Sequence, residues 1–258
     1  MRIALTRNVS PAMERCELSH LERTPIDYQR ALAQHAAYEA CLVELGCRVH
    51  RVSSDASMPD AVFIEDTAVV VPELAVITRP GAPSRRGETA AVEEALAAWR
   101  PVASLAAPGT LDGGDGLWIG RVLYVGVSAR SNRDGIAQLA RHLARREYRV
   151  LPVETRDCLH LKTAATLAAP GLVLINPAWV DGEVFGSAEV VEVDPAEPFA
   201  ANVLRVGDAT VCAAAYPRTR RRLEAAGVAV REVDMSEFAK AEGGVTCCSV
   251  ILDEKGGA

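Results

Sequence analysis

The sequence repeats a pattern of secondary structure about every 45 residues, and this repeat constrains the fold more than any other feature. Each unit is predicted to contain a strand, a polar loop, a β-hairpin and a helix. In the first unit, strand Cys47–Ser53 precedes a hairpin of Ala68–Val71 and Ala75–Thr78. The strands of the later units are Val102–Leu105, Leu117–Ile119 and Val122–Val125; Arg149–Val153, Ala164–Leu167 and Leu172–Asn176; Glu189–Val193, Val203–Val206 and Val211–Ala214; and Val228–Val233 with Val250–Leu252.

The helices between the units are predicted from apolar residues at helical spacing. Gly46 and Gly227 lie where helix C-caps are expected. The third unit is the exception, because Ala178–Ala188 leaves little room for a helix. The three clearest apolar stripes are Ala31, His35, Tyr38, Leu42 and Leu45; Val92, Leu96 and Trp99; and Ile136, Leu139, Ala140 and Leu143.

The two ends of the chain complete the repeat. The fifth unit lacks its final strand, and Arg2–Thr6 is a strand without a preceding partner. Joining these ends would close a ring and remove exposed sheet edges. We therefore expect an α/β fold, a closed five-bladed α/β propeller of pseudo-repeated strand-hairpin-helix modules. No linker or change of composition divides the sequence, so residues 1–258 are expected to form a single catalytic domain.

The charge and cysteine content limit the classes of partner and compartment. The net charge of −6 gives no reason to expect nucleic acid and favours a cationic ligand. The basic run Arg218–Arg222 is interpreted as the solvated face of a helix. Seven cysteines without a paired framework indicate a reducing compartment, which predicts a cytoplasmic protein. No apolar run approaches the length of a membrane span, so no membrane partner is expected.

Equivalent positions of the five units carry chemically reactive side chains. These are Asp66, Asp115, His160, Asn202 and Cys247, at successive steps of 49, 45, 42 and 45 residues. In a closed radial fold these positions point toward one axis. The carboxylates of the LDGGD segment are therefore expected to line a central cavity rather than a core.

An unusual number of acids is predicted near this axis. Asp60, Glu65 and Asp66 of the PDAVFIED segment join Asp112 and Asp115. Burying so many carboxylates together is costly unless a cation lies among them. The glycines of GGDGLWIG have the wrong spacing for a dinucleotide-binding loop.

Metal binding is a competing explanation for the cysteines and the histidine. Cys158, His160, Cys247 and Cys248 fit no usual zinc spacing, although Cys247 and His160 could capture zinc adventitiously. We expect no metal in function. If the backbone is extended at Cys247 and Cys248, only one of the two thiols can face the cavity.

Six motifs in order and register make a specific resemblance. PDxVFxED, RPGxxSRRGE, PGTLDGGD, SARxN, LHLK and GGVTCxS resemble the dimethylarginine dimethylaminohydrolases of the guanidine-modifying (pentein) superfamily. The resemblance covers Tyr28 to Leu252. It implies a five-bladed α/β propeller that hydrolyses Nω-methylated arginines, both asymmetric dimethylarginine and monomethylarginine. The products are citrulline and dimethylamine or methylamine, through a covalent cysteine intermediate and without a cofactor.

The resemblance also implies the roles of the site residues. Cys247 is the nucleophile, and His160 is the general acid and base. Asp112 orients the histidine and contacts the guanidinium, which Asp66 binds. The remaining substrate contacts are Arg85 and Arg130 for the carboxylate, Asp60 and backbone carbonyls near Leu18 and Ala241 for the α-amino group, Phe63 for the methyl groups, and Glu65 among the acids. The segment around residues 16–21 resembles a mobile lid.

Three alternative functions share this pattern in part. Arginine deiminase uses the same reactive groups and releases ammonia, but its members usually carry a helical insertion for which this sequence has no space. A non-enzymatic binding module of the same fold has no reason to keep Cys247, His160, Asp112 and Asp66 together. An amidinotransferase would need room for a second amine. The sequence does not decide whether the protein forms a homodimer.

Overall fold

The computed structural model of the chain describes residues 1–254. Its strands form five three-stranded sheets. In each sheet two antiparallel strands are followed by a third strand that runs parallel to the central one. The strands are β1 (Arg2–Thr6), β2 (Cys47–Arg51), β3 (Ala68–Val71), β4 (Leu74–Ile77), β5 (Val102–Ser104), β6 (Gly116–Ile119), β7 (Val122–Val127), β8 (Arg149–Glu154), β9 (Ala165–Ala169), β10 (Leu172–Ile175), β11 (Glu189–Glu192), β12 (Leu204–Val206), β13 (Ala209–Ala213), β14 (Ala229–Val233) and β15 (Val250–Asp253).

The helices are α1 (Tyr28–Glu44), α2 (Thr89–Ala97), α3 (Arg133–Ala144), α4 (Leu161–Ala164), α5 (Pro217–Ala225) and α6 (Ser236–Ala239). α1, α2, α3 and α5 cross from the central strand of a sheet to its parallel neighbour, whereas α4 and α6 are single turns between one sheet and the next. Asp27 and Asn132 cap α1 and α3 by accepting hydrogen bonds from backbone N–H groups three residues later. In the third unit the connection from β10 to β11 holds only the 3-10 turn Gly182–Phe185, which agrees with the degenerate unit that the sequence predicts.

The first and last strands belong to the same sheet. β1 pairs antiparallel with β15, so that Arg2 lies opposite Asp253 and Leu5 lies opposite Val250. The other edge of β1 pairs in parallel with β2. The predicted pairing of the two terminal strands is confirmed.

The predicted apolar stripes face the core. Ile136, Leu139 and Leu143 of α3 are buried against Leu123 and Val125 of the sheet below them. Gly46 and Gly227 follow helices with φ of +85° and +82°, which a residue with a side chain rarely adopts. Among residues 1–254, no helix is long and apolar enough to cross a membrane.

A short turn precedes the first strand of every hairpin. Four of these turns are Ile64–Thr67, Gly113–Asp115, Leu161–Ala164 and Pro198–Ala201, and the fifth is formed by residues 245–248. Asp66, Asp115 and Cys247 lie within their turns, His160 immediately precedes its turn, and Asn202 immediately follows its turn. These turns carry the five equivalent positions that the repeat identifies.

Candidate active site

Two adjoining cavities meet at the predicted reactive residues. Both are lined by Leu159, His160, Glu242, Gly243 and Cys247. The smaller cavity, of about 20 Å³, is otherwise lined by Glu17, Asp60, Phe63, Asp66, Arg85, Arg130 and Ala241. The larger cavity, of about 430 Å³, extends from Glu65 and Lys162 to the exposed side chains of Leu21 and Phe199. The histidine and the thiol therefore stand where the two cavities join.

His160 is held between two carboxylates. Its Nε2 lies 3.1 Å from Oδ2 of Asp112, and its Nδ1 lies 3.9 Å from Oδ1 of Asp66. The other oxygen of Asp112 accepts a hydrogen bond of 2.9 Å from the N–H of Gly81, so that this carboxylate is fixed in place. One ring nitrogen is thus fixed by Asp112, while the other faces Asp66.

The surroundings of His160 favour its charged form. Burial alone would lower its pKa, but Asp66, Asp115 and Asp112 raise the pKa to about 9. The pKa of Asp66 is lowered in spite of its burial, because His160 and Arg85 stabilise the carboxylate. At neutral pH the pair is therefore an imidazolium beside carboxylates, and such a histidine can donate a proton.

The second acid of LDGGD has a different position from the one expected. Asp115 is fully buried, and its oxygens accept hydrogen bonds from the Ser128 and Ser131 hydroxyls and from the N–H of Leu161. Asp112 is fully buried as well. The expectation that both carboxylates line the cavity is wrong, since both lie behind His160, where they are paired with hydrogen-bond donors.

The two glycines of LDGGD are required by close packing. A Cβ on Gly114 would lie 2.7 Å from Nδ1 of His160 and 2.8 Å from Oδ1 of Asp66. A Cβ on Gly113 would collide with the carbonyl oxygen of Glu65. A side chain at Gly114 would push apart Asp66 and His160, and one at Gly113 would displace the backbone at Glu65.

Cys247 lies in a turn and not in a strand. Its Sγ accepts a hydrogen bond of 3.3 Å from the N–H of Gly244. Burial, followed by the charges of Glu65 and Asp66, raises the pKa of this thiol to about 12. Cys248 is fully buried in the core. One thiol of the pair faces the cavity, as predicted, but the reason is the turn and not an extended backbone.

A polar network fixes the turn that carries Cys247. The Thr246 hydroxyl donates to Glu65 at 2.6 Å, and the other carboxylate oxygen of Glu65 lies 2.6 Å from Nζ of Lys162. Asn202 accepts from the Thr246 N–H and donates to its hydroxyl, each at 3.0 Å. The Glu65 N–H also donates to the carbonyl oxygen of Cys247, at 3.1 Å. Sequence reasoning placed Asn202 at the axis without a role. It missed Lys162 and Thr246, although these lie within the LHLK and GGVTCxS motifs.

Arg85 is buried beneath Asp66. Its Nη1 donates to Oδ2 of Asp66 at 2.6 Å, and its Nε and Nη2 donate to the carboxylate of Glu88. Burial opposes the charge of Arg85, but Asp66 and Glu88 raise its pKa well above the usual value. The side chain lines the smaller cavity while also supporting Asp66. Its predicted contact with a substrate carboxylate stays a prediction.

The other predicted head-group contacts surround the same cavity. Both oxygens of Asp60 accept from the N–H of Glu17 at 3.2 Å, and burial raises the pKa of Asp60 to about 6. Nη2 of Arg130 donates to the Ser19 hydroxyl at 3.0 Å. Phe63 and Ala241 line the cavity and belong, with Leu18 packed against them, to one apolar cluster.

Glu242 binds residues 19–21, which belong to the segment that resembles a lid. Its carboxylate accepts hydrogen bonds from the N–H groups of Ser19, His20 and Leu21. Glu242 also has φ of +58°, a backbone conformation unusual for a residue with a side chain. Sequence reasoning missed this residue, and its only signal is its position directly before the two glycines of GGVTCC.

A cation could also lie between the acids. Asp66, Asp112 and His160 each offer one ligand atom, and these atoms lie within 4.8 Å of one another. Two of these three groups already pair with each other, and Asp66 also binds Arg85. Of the two carboxylates, only Asp66 lines a cavity, where it offers an acceptor to the edge of a planar guanidinium.

Comparison with known proteins relates this site to characterised chains. The arginine deiminase family model matches residues 55–200. An N(G),N(G)-dimethylarginine dimethylaminohydrolase of Streptomyces coelicolor is 40% identical over 97% of both chains. The protein of the same name from Pseudomonas aeruginosa is 37% identical over 90% of this chain and 91% of its own.

The solved structures agree with the sequence relatives. A variant of the Pseudomonas aeruginosa enzyme with cysteine replaced by serine, in complex with citrulline, superposes with a TM-score of 0.92. It is 33% identical, over 96% of this chain and 98% of its own. The arginine dihydrolase domain ArgZ of cyanobacteria has a TM-score of 0.84 at 23% identity, which shows a shared fold alone. By its sequence relatives and its structure, the chain belongs to the dimethylarginine dimethylaminohydrolase family.

Proposed function

We propose that this protein hydrolyses Nω-methylated arginines to citrulline and methylamine or dimethylamine. The observation that carries the proposal is the position of Cys247 and His160 at the junction of the two cavities. A substrate whose amino-acid head group lies between Asp60 and Arg130 would place its guanidinium beside Cys247 and His160. Asp66 would then bind the edge of the guanidinium.

In the first half of the reaction, the substrate cation activates the thiol. Cys247 is a neutral thiol in the free protein because its pKa is about 12. A guanidinium beside it favours the thiolate, and the thiol proton passes to solvent. Sγ forms a bond to the guanidinium carbon, and His160 donates a proton to the leaving nitrogen. The C–N bond breaks and the amine departs, which leaves an S-alkylthiouronium on Cys247.

In the second half, water replaces the sulfur. His160, now neutral, takes a proton from a water molecule as that water attacks the same carbon. The C–S bond breaks and the thiolate of Cys247 leaves. The hydroxyl proton of the new C–O group passes to that thiolate, which restores the thiol, and citrulline is released. Asp112 keeps the imidazole in one orientation through both halves, which is why a buried carboxylate at this position contributes without touching the reacting carbon.

The test is to measure the amine and citrulline together. The purified protein is incubated with asymmetric dimethylarginine, monomethylarginine and free arginine, and citrulline, methylamines and ammonia are quantified. We expect citrulline with an equal amount of dimethylamine or methylamine. Rapid release of ammonia from free arginine, with methylated arginines unchanged, would instead establish a deiminase, which the family model also covers.

Two variants separate the nucleophile from its neighbour. Cys247→Ser is expected to abolish turnover, and Cys248→Ala is the matched control because Cys248 is buried in the core. Retained activity in Cys247→Ser would remove Cys247 from the mechanism.

We also propose that the five sheets close into a five-bladed propeller that acts as one catalytic domain. The pairing of β1 with β15 supports this, as do the contacts of β15 with β3, of β6 with β9 and of β9 with β12. A cytoplasmic location is supported by the seven free cysteines. Sedimentation of the purified protein tests whether it forms a homodimer.

A further inference from the structure

We propose that the larger cavity binds the alkyl groups carried by the leaving nitrogen, so that the protein accepts Nω-alkyl-arginines bulkier than the methylated ones. This rests on the proposed function and specifies its range of substrates. The ligand class is an L-arginine whose terminal nitrogen carries a linear alkyl group such as propyl or butyl.

The direction of the alkyl group follows from the walls of the site. On one side of His160, Asp112 is fully buried and lines neither cavity. In the smaller cavity, the head group of the substrate would occupy the space between Asp60 and Arg130. The leaving nitrogen must reach His160 for its proton, and the open volume that adjoins His160 is the larger cavity. Its substituents therefore point into that cavity.

The chemistry of the larger cavity suits an alkyl group. Beyond Cys247 it is lined by Leu21, Phe199, Ala213, Tyr216 and Met235. Leu21 and Phe199 are 37% and 41% exposed, so part of their apolar surface is open to a ligand in the cavity. The volume of about 430 Å³ is that of a small-molecule pocket and far exceeds the needs of two methyl groups.

The charged groups around this cavity do not oppose an apolar ligand. Glu65 is paired with Lys162, and Glu242 is bound to the N–H groups of residues 19–21. Asp157 is exposed and lines the cavity as well. An amine that leaves the site and gains a proton would be attracted toward this carboxylate, so the same cavity serves as the route of product release.

The test measures binding separately from turnover. Binding of Nω-methyl-, Nω-propyl- and Nω-butyl-L-arginine to the Cys247→Ser variant is measured by calorimetry, and citrulline formation by the wild type is measured with the same compounds. We expect Kd to fall by about threefold to fourfold for each methylene buried. Wild-type kcat/KM for the propyl compound should stay within about tenfold of the methyl compound.

Two adjacent alanines provide a variant and its control. Ala215 is exposed and lines the cavity, whereas its exposed neighbour Ala214 does not. Ala215→Phe in the Cys247→Ser background should weaken binding of the propyl and butyl compounds by about tenfold and leave the methyl compound unchanged. Ala214→Phe should change neither.

The proposal is overturned if the propyl and butyl compounds bind much more weakly than the methyl compound. It is also overturned if Ala215→Phe and Ala214→Phe affect all three compounds equally. A wild type that forms no citrulline from any of them, while the binding preference for longer alkyl groups persists, contradicts the proposed reaction and still supports the cavity as an alkyl-binding site.

Discussion

The imidazole of His160 lies 3.1 Å from the fully buried carboxylate of Asp112, so its orientation is fixed by a group that does not line either cavity. Burial by itself would make His160 neutral, and the neighbouring carboxylates reverse that effect. The charge state of one side chain is therefore set by residues from two other repeat units.

Removing the charge of Asp112 tests this relationship. Asp112→Asn should lower the pKa of His160, because burial is then less well opposed. We expect kcat/KM for dimethylarginine to fall by roughly a hundredfold and its alkaline limb to move to lower pH. Full pH profiles measure both effects. Asp112→Glu keeps the charge, so its alkaline limb should lie near that of the wild type. If the alkaline limb of Asp112→Asn does not move, Asp112 does not raise the pKa of His160.

The wild-type pH profile should have two limbs. Asp60 has a pKa of about 6, so raising the pH through 6 ionises it and improves binding of the substrate ammonium group. His160 has a pKa of about 9, so raising the pH through 9 removes the proton that the leaving amine needs. We expect kcat/KM to rise through the first value and fall through the second. Asp60→Asn should remove the acidic limb only.

Thr246 is expected to affect both the stability of the fold and the position of Cys247, the proposed nucleophile. Thr246→Val removes the hydroxyl that donates to Glu65 and accepts from Asn202. Leaving a buried carboxylate oxygen without its hydrogen-bond donor lowers the stability of the fold by about 1–3 kcal/mol. The turn that carries Cys247 also loses one of the hydrogen bonds that fix it. We expect a lower free energy of unfolding in urea and a lower kcat. Thr246→Ser keeps the hydroxyl and should restore both, whereas an equal loss in the two variants would point to packing.

Glu242 is expected to keep residues 19–21 in place through hydrogen bonds to their N–H groups. Glu242→Gln replaces charge-assisted hydrogen bonds to residues 19–21 by weaker ones. We expect KM to rise with less change in kcat, together with faster proteolytic cleavage near Arg23. Glu22→Gln changes an exposed carboxylate of the same segment and serves as the control. Equal KM values in the two variants would show that Glu242 does not hold the segment.

Local pattern was sufficient to predict most of the fold. β1 and β3 occur at the predicted residues, and the degenerate third unit lacks a long helix, because alternation and glycine positions act over short distances. β13 begins at Ala209, before the predicted start, since the turn at Gly207 with φ of +64° is shorter than assumed. Boundaries of this kind depend on turn geometry that residue type specifies poorly.

The site was predictable as a set of residues and not as a set of contacts. The repeat placed Cys247 and His160 together because equivalent positions of similar units lie together. It misplaced Asp115, whose three hydrogen-bond donors come from Ser128, Ser131 and Leu161. It also gave no sign that Lys162 would pair with Glu65, since that contact joins residues 97 positions apart.

The pairing of β1 with β15 has a consequence for folding. Cys247 lies three residues before β15, and β15 is held in its sheet by β1, a strand far from it in sequence. One edge of β1 therefore stays unpaired until residues 250–253 reach it. Because a contact of such long sequence separation forms later than a local hairpin, we expect the turn that carries Cys247 to reach its final position only when this pairing closes.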